Sequence, residues 1–334
     1  MKKTLIALAV LGSFAGAAVA QSSATLYGLL DVGYGIGNGG IMGSESSYDF
    51  QQLGNANSTS RWGVRGQEDL GNGKAVYFNL ESQIAPETGV TGGTSGGGAF
   101  NRAAIVGVKG GFGAVQAGRQ LTVMNNILGA YDISGTPNMT SALTNARISA
   151  VSQRTTGSRY DSALLYISPN FSGFSFQAAL ILKNDDGVSP LTQDKNVYSA
   201  GANYVNGPFS VGAAFESKHA DGMSASWGLG ARFNFTSFVI SGGYFDNHVE
   251  AEGKGFYLGA AIPVNAFTIG AQVALNIDGN AGDYDALALE LFAKYKVSNR
   301  TQLYLQTGYL NSDAEDWNQA GRKYSASFGI VHRF

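Results

Sequence analysis

Three histidines, His219, His248 and His332, and no cysteine limit the covalent chemistry open to this 334-residue chain. A hydrolase needs a nucleophile activated by a neighbouring base, or paired acids with a histidine. Ser217 stands two residues before His219, but serine is scattered along the whole sequence and nothing further marks that pair. Without thiols there is no disulfide scaffold and no thiolate metal site. The glycine run from Thr91 to Gly98 is not followed by the Gly-Lys-Ser/Thr of a phosphate loop. The residues thus point away from an enzyme, and no cofactor or metal is expected. What remains is charge: Arg61 and Glu81 lie either side of a glycine-rich turn, where a hairpin would bring them face to face.

The elements that would carry these charges are strands. Phe267, Ile269, Ala271, Val273 and Leu275 alternate with Thr268, Gly270, Gln272, Ala274 and Asn276, and Leu303, Leu305 and Tyr309 alternate with Gln302, Tyr304, Gln306 and Gly308. Such period-2 patterns put an apolar face on one side and a polar face on the other. Pairing Trp62 with Leu80 and Val64 with Phe78 centres a hairpin turn on Gly71. It turns those four side chains to one face and Arg61, Arg65, Tyr77, Asn79 and Glu81 to the other, with Arg61 across from Glu81. A one-residue slip would put two arginines on the apolar face, at about 2–4 kcal/mol each if that face meets lipid.

Short connections near residues 69–73, 109–113, 168–173, 205–208, 234–236, 263–265 and 297–299 alternate with long Asn-, Asp-, Gly- and Ser-rich stretches at 38–57, 184–195, 246–254 and 311–321. Short turns at one end and long loops at the other give about sixteen strands and an all-β, transmembrane antiparallel β-barrel. The last strand runs to the end of the chain, with Tyr324, Ala326, Phe328, Ile330, His332 and Phe334 on its apolar face. A single domain, residues 21–334, follows a leader, residues 1–20. In the leader, Lys2 and Lys3 precede an apolar run, and Ala18-Val19-Ala20 forms a small-residue cleavage site, as in a secretory signal peptide. Removing Lys2 and Lys3 leaves 20 bases against 24 acids, a net charge of −4, and no nucleic-acid partner is expected. Beyond residue 20 no apolar stretch is long enough to span a bilayer as a helix, so a membrane would be crossed by a closed barrel.

Several motifs occur together: Leu26-Tyr27-Gly28 with Asp31, Ser60-Arg61-Trp62-Gly63, Glu68-Asp69-Leu70-Gly71-Asn72-Gly73, Leu80-Glu81, Asn101-Arg102 and Gly118-Arg119-Gln120. With the leader and Phe334, they resemble the Gram-negative general porins of beta-proteobacterial type. The resemblance implies a trimeric, sixteen-stranded, water-filled diffusion channel in the outer membrane, with a third external loop, about residues 121–157, folded inward. It implies that Phe334 is the assembly signal read by the barrel-insertion machinery, and that a loop at residues 85–99 reaches over a neighbouring subunit. Partners would be two further copies of the chain, outer-membrane lipid and lipopolysaccharide, and permeating small ions and solutes.

In that family, wall arginines face acids of the inward loop. Arg61 and Arg102 match the family's arginine positions, Arg159 matches them more loosely, and Arg154 is a candidate by proximity. Around Arg102 and Arg159 both strand faces are apolar, so alternation leaves their direction open. From Leu121 to Gly157 the only acid is Asp132, against Arg147 and Arg154. Several arginines opposed mainly by Asp132 and Glu81 predict a modest preference for small anions, because a narrow low-dielectric channel focuses such fields. Acids of the later loops, among them Asp185, Asp186, Asp246 and Glu252, favour cations at a wide mouth, where salt screens over about 8 Å. An alternative use for Asp185 and Asp186 is bridging of divalent cations to lipopolysaccharide. A substrate-specific porin, with Tyr27, Tyr77 and Tyr304 as an aromatic track for sugars, and a surface adhesin are the other readings.

Overall fold

The computed structural model describes residues 23–38, 49–92, 98–146, 148, 158–183, 195–218, 225–249, 252–277, 286–311 and 323–334. Seventeen strands form one antiparallel sheet: β1 (Ser23–Asn38), β2 (Asp49–Leu53), β3 (Arg61–Gly71), β4 (Lys74–Gln83), β5 (Ala103–Gly110), β6 (Gly113–Leu121), β7 (Arg159–Ile167), β8 (Phe174–Ile181), β9 (Val197–Asn206), β10 (Phe209–Glu216), β11 (Ser226–Asn234), β12 (Val239–Val249), β13 (Glu252–Val264), β14 (Phe267–Asn276), β15 (Ala286–Lys296), β16 (Thr301–Leu310) and β17 (Tyr324–Arg333). From β3 onward each strand pairs with the next in sequence, and β17 pairs with β1, so the sheet closes. The first half of β1 pairs with β3 and its last five residues with β2. β2 and β3 thus form one interrupted stave of a sixteen-stranded barrel.

Closure matters because a sheet edge inside a bilayer leaves rows of unpaired N–H and C=O groups, each costing several kcal/mol. The seam runs from Leu29 opposite Arg333 to Asn38 opposite Tyr324. The last residue completes it: Gly28 N donates to Phe334 O and Phe334 N to Gly28 O, both at 3.1 Å. The Phe334 ring lies where a side chain at residue 28 would project, 2.3 Å from a Cβ built on Gly28.

Period 2 sorts the side chains as the sequence predicted. On β14 the outward Phe267 and Ile269 are exposed while the inward Gln272 and Asn276 are buried; on β16 Leu303 and Leu305 are outward while Tyr304 and Gln306 are buried. Among the described residues no helix is long and apolar enough to cross a membrane, and the exposed apolar band belongs to the strands. All seven short connections fall where expected. Of the long ones, the stretch 246–254 is largely strand: β12 continues to Val249 and β13 begins at Glu252. Asp246 lies on the sheet, largely buried, not on a loop at the mouth. Residues 1–22, 184–194, 278–285 and 312–322, with the leader and the acids Asp185 and Asp186, fall outside the described residues.

The β3–β4 hairpin departs from the expected register by two residues. Val64 pairs with Leu80, Gly63 with Glu81 and Arg61 with Gln83. The cause is the turn: Gly71, Asn72 and Gly73 all take positive φ, and a bulge opens between Asp69 and Gly71, held by Gly71 N donating to Asp69 Oδ1 at 2.8 Å. A slip of two preserves every facing, because the side-chain period is two. Arg61 therefore sits diagonal to Glu81 on the inner wall instead of opposite it.

Deleting Phe334 removes two seam hydrogen bonds and the ring seated on Gly28, so heat-modifiable folded barrel should fall several-fold in cells. Gly28→Val should do the same by displacing the ring. Wild-type levels of folded protein in both variants would show that the seam does not depend on this contact.

Candidate functional site

Within the barrel, one cavity of about 770 Å³ is bordered on its wall side by Arg61, Glu81, Arg102 and Arg159, and on the other by residues of the segment joining β6 to β7. The four wall residues come from β3, β4, the run before β5, and β7, and hydrogen bonds fix all four. Arg102 Nε donates to Glu81 Oε1 at 2.7 Å, and Arg61 Nε lies 4.0 Å from Glu81 Oε2. Tyr27 Oη donates to Glu81 Oε2 at 2.9 Å and to Asn79 Oδ1 at 2.7 Å. Arg159 Nε donates to the Arg102 carbonyl at 2.8 Å and its Nη1 to Ser158 Oγ at 2.7 Å, while Arg61 Nη1 donates to the Thr59 carbonyl at 3.2 Å. Two guanidinium groups, those of Arg61 and Arg102, thus approach one carboxylate, and the third, Arg159, is held by a backbone carbonyl and a serine beside them. Each has five donors, and one or two bonds hold each at the edge of the cavity.

The β6–β7 segment provides the opposite border. Helix α1 (Val123–Leu128) begins at Thr122, whose Oγ1 accepts from Asn125 N at 3.0 Å, the usual arrangement of a threonine N-cap. Its buried Val123, Met124, Ile127 and Leu128 pack against β8–β11, at about 1.5–3 kcal/mol for each such side chain withdrawn from water. A short turn (Gly129–Tyr131) follows. Tyr131 Oη donates to Asn203 Oδ1 on β9, and Ser241 Oγ on β12 donates to the Tyr131 carbonyl. Burial pushes the Tyr131 phenol above its ordinary value. The wall is shaped for this contact: a Cβ at Gly212 or Gly230 would lie within 2.7 Å of the Tyr131 ring, and one at Gly35 within 2.0 Å of Met139 Sδ.

Further along, the segment crosses to β14 and β15. Gln272 Nε2 donates to Asp132 Oδ1 at 3.0 Å, and Glu290 Oε2 accepts from Ala142 N at 3.1 Å, the first residue of helix α2 (Ala142–Asn145). Lys294 Nζ donates to the Ser134 carbonyl. The chain also docks on residues 54–60, which interrupt the β2–β3 stave. Met139 N donates to the Ala56 carbonyl and Asn138 Nδ2 to the Asn55 carbonyl. Those residues are pinned by the fully buried Asp31: its Oδ2 accepts from Asn57 N and Ser58 N, and its Oδ1 from Tyr304 Oη at 2.7 Å.

The structure therefore brings Arg61, Glu81, Arg102 and Arg159 together and directs the two arginines whose facing alternation had left open. Asp132 does not oppose them. It is buried, accepts from Ser134 N, Ser134 Oγ, Thr136 Oγ1 and Gln272, and does not border the cavity. The opposite border is neutral: Asn125, Asn126, Thr136, Asn138 and Thr144. Arg147 and Arg154 lie outside the described residues. The three tyrosines do not form an open track. Tyr27 and Tyr77 are covered by Arg65 at 5.0 Å and Lys109 at 5.7 Å, and Tyr304 is buried against Asp31. Sequence reasoning missed Asp31, Gln272 and Glu290 as anchors. They are single polar residues at inward positions, and that placement was their only signal. His332 is exposed on the outer face, 2.9 Å from Thr301 Oγ1.

A closed sixteen-stranded barrel with an apolar outer band and a charged aqueous cavity inside is a membrane channel. The chain belongs to the Gram-negative porin family, whose model matches residues 7–315. It is 32% identical to outer membrane porin protein 32 of Delftia acidovorans, covering 94% of this chain and 91% of that one, and 28% identical to an outer membrane porin protein of Bordetella pertussis over the full length of both. Among solved structures it is similar to an anion-selective porin from Comamonas acidovorans, with a TM-score of 0.76, 26% identity, and 94% of this chain and 100% of that one covered. The protein is a diffusion porin, a multi-pass β-barrel of a Gram-negative outer membrane, and its relatives are channel proteins.

Glu81→Gln removes the one acid that borders the cavity beside the three arginines. Anion-over-cation permeability should rise by about twofold or more, because the arginine field is then uncompensated in a weakly screened site. Reversal potentials under a salt gradient measure it, and an unchanged ratio would show that Glu81 does not control the field.

Proposed function

We propose that the channel is a trimeric general porin, modestly selective for small anions, with its constriction between Arg61, Arg102 and Arg159 on one side and the inward β6–β7 segment on the other. One observation carries this reading: three guanidinium groups and one carboxylate border the cavity, against a neutral polar border opposite. Diffusion needs only water, width and field. The anion-selective porin from Comamonas acidovorans, similar over nearly the whole chain, points the same way. Asp132 takes part by placing the segment, not by opposing the arginines. The covered faces of Tyr27 and Tyr77 argue against a sugar track.

The same reading includes cleavage after Ala20, seating of residues 85–99 against a neighbouring subunit, recognition of Phe334 by the insertion machinery, and contact of the outer band with lipid and lipopolysaccharide. No catalytic role is assigned to any residue.

Planar-bilayer recordings test the reading. Wild-type channels should insert in triple conductance steps and show anion preference, and Arg61→Ala and Arg102→Ala should each lower the permeability ratio by about twofold. Unchanged ratios in both variants would remove the arginine field as the source of selectivity, and single steps would remove the trimer.

A further inference from the structure

A second cavity of about 250 Å³ lies below the first, at the end of the barrel that carries the short turns. Ile133 of the β6–β7 segment borders it above, and Ala266, Ser298 and Asn299 of two short turns border it below. Between them the inner wall contributes Lys294 and Lys296 of β15 and Arg333 of β17. Among the described residues, no carboxylate side chain lines it.

The strands fix this grouping. Lys294 and Lys296 are two apart on one face of β15, hence about 7 Å between their Cα atoms, and β17 lies two strands away, about 10 Å. The registers place neutral polar groups beside the cations: Thr268 opposite Lys294 on β14, and Gln302 opposite Lys296 on β16, between β15 and β17. The acids within electrostatic reach of Lys294, Glu290 and Asp132, are buried behind the segment and occupied as acceptors of Ala142 N and of Gln272, Ser134 and Thr136. Lys294 is itself directed by its bond to the Ser134 carbonyl and lies over the Phe292 ring at 5.2 Å. Lys296 and Arg333 are exposed, and Arg300, on the neighbouring turn, donates no side chain to the lining. Ser134, whose carbonyl accepts from Lys294, adjoins Gly135, which borders the upper cavity.

We propose that Lys294, Lys296 and Arg333 form a second anion station at the periplasmic mouth, which holds small multivalent organic anions, di- and tricarboxylates, in transit. Three cations within about one screening length act on a chloride ion weakly and on a citrate ion together, because each carboxylate meets its own cation. Thr268, Gln302 and Asn299 supply neutral hydrogen-bonding groups for the remaining oxygens. Taking about 30 Å³ for the share of one water, the space of about 250 Å³ is that of about eight waters, enough for a tricarboxylate.

The full-length protein in planar bilayers tests this, with citrate added to one side at a time in potassium chloride. Wild-type chloride current should be blocked by citrate from the short-turn side, with weaker block by succinate and by inorganic phosphate. In Lys296→Ala/Arg333→Ala the half-blocking citrate concentration should rise about tenfold in a variant that still inserts as an open channel. Raising the salt tenfold should erase the difference. If the double variant fails to insert, Lys296→Gln alone should give about a threefold rise. Equal half-blocking concentrations in variant and wild type would overturn the proposal. Block that survives in the double variant but is lost in Arg61→Ala would place the anion at the constriction, leaving the channel reading intact and this station disproved.

Discussion

The whole molecule depends on the seam between β1 and β17. A sheet surrounded by hydrocarbon has no water to satisfy an edge, so it must pair its first strand with its last. Phe334 closes that pairing with two backbone bonds to Gly28 and a ring that occupies the space a side chain there would fill. Once the sheet is closed, inside and outside are defined, and the period-2 alternation of every strand becomes a sorting rule. Most leucine, isoleucine and phenylalanine side chains face out, apart from those such as Leu165, Phe245 and Phe292 that are buried inside, and asparagine, glutamine, glutamate and arginine face in. The ion pathway follows from closure more than from any individual charge.

Inside the barrel a second constraint operates. A wide polar lumen has no hydrophobic core, and here the β6–β7 segment supplies one. Val123, Met124, Ile127, Leu128 and Tyr131 are buried against the inner wall, on positions kept open by glycine. The polar anchors then fix the segment at several points around the circumference: Asn203, Ser241, Gln272, Glu290, Lys294 and residues 55–57. Buried polar groups are stable only when paired, and these pairs can form only with the segment in this place.

This arrangement divides the charges of the lumen into two groups. Most described acids of the inner wall are withdrawn: Asp31 accepts backbone amides, Glu216 accepts from Tyr160, Glu290 and Asp132 hold the segment. Arg61, Lys296 and Arg333 keep their contact with water. A chain of slightly negative net charge thereby presents a positive pathway, because the ions it shows to the solute are not those that its composition counts.

Much of this was legible in the chain itself. Alternation set the outward face of most strands, and the glycine and asparagine turns set the seven short connections and about sixteen staves. These are local properties: the side-chain period and the turn chemistry act within a few residues. The facing of Arg61 was fixed this way, and it survived a two-residue error of register because the period is two. The directions of Arg102 and Arg159 were not fixed, since both faces of their strands are apolar. Nor was the withdrawal of Asp132, which depends on Gln272, a residue 140 positions away on the far wall. A carboxylate is recognisable in sequence, but whether it faces water or an amide is decided only by what packs against it.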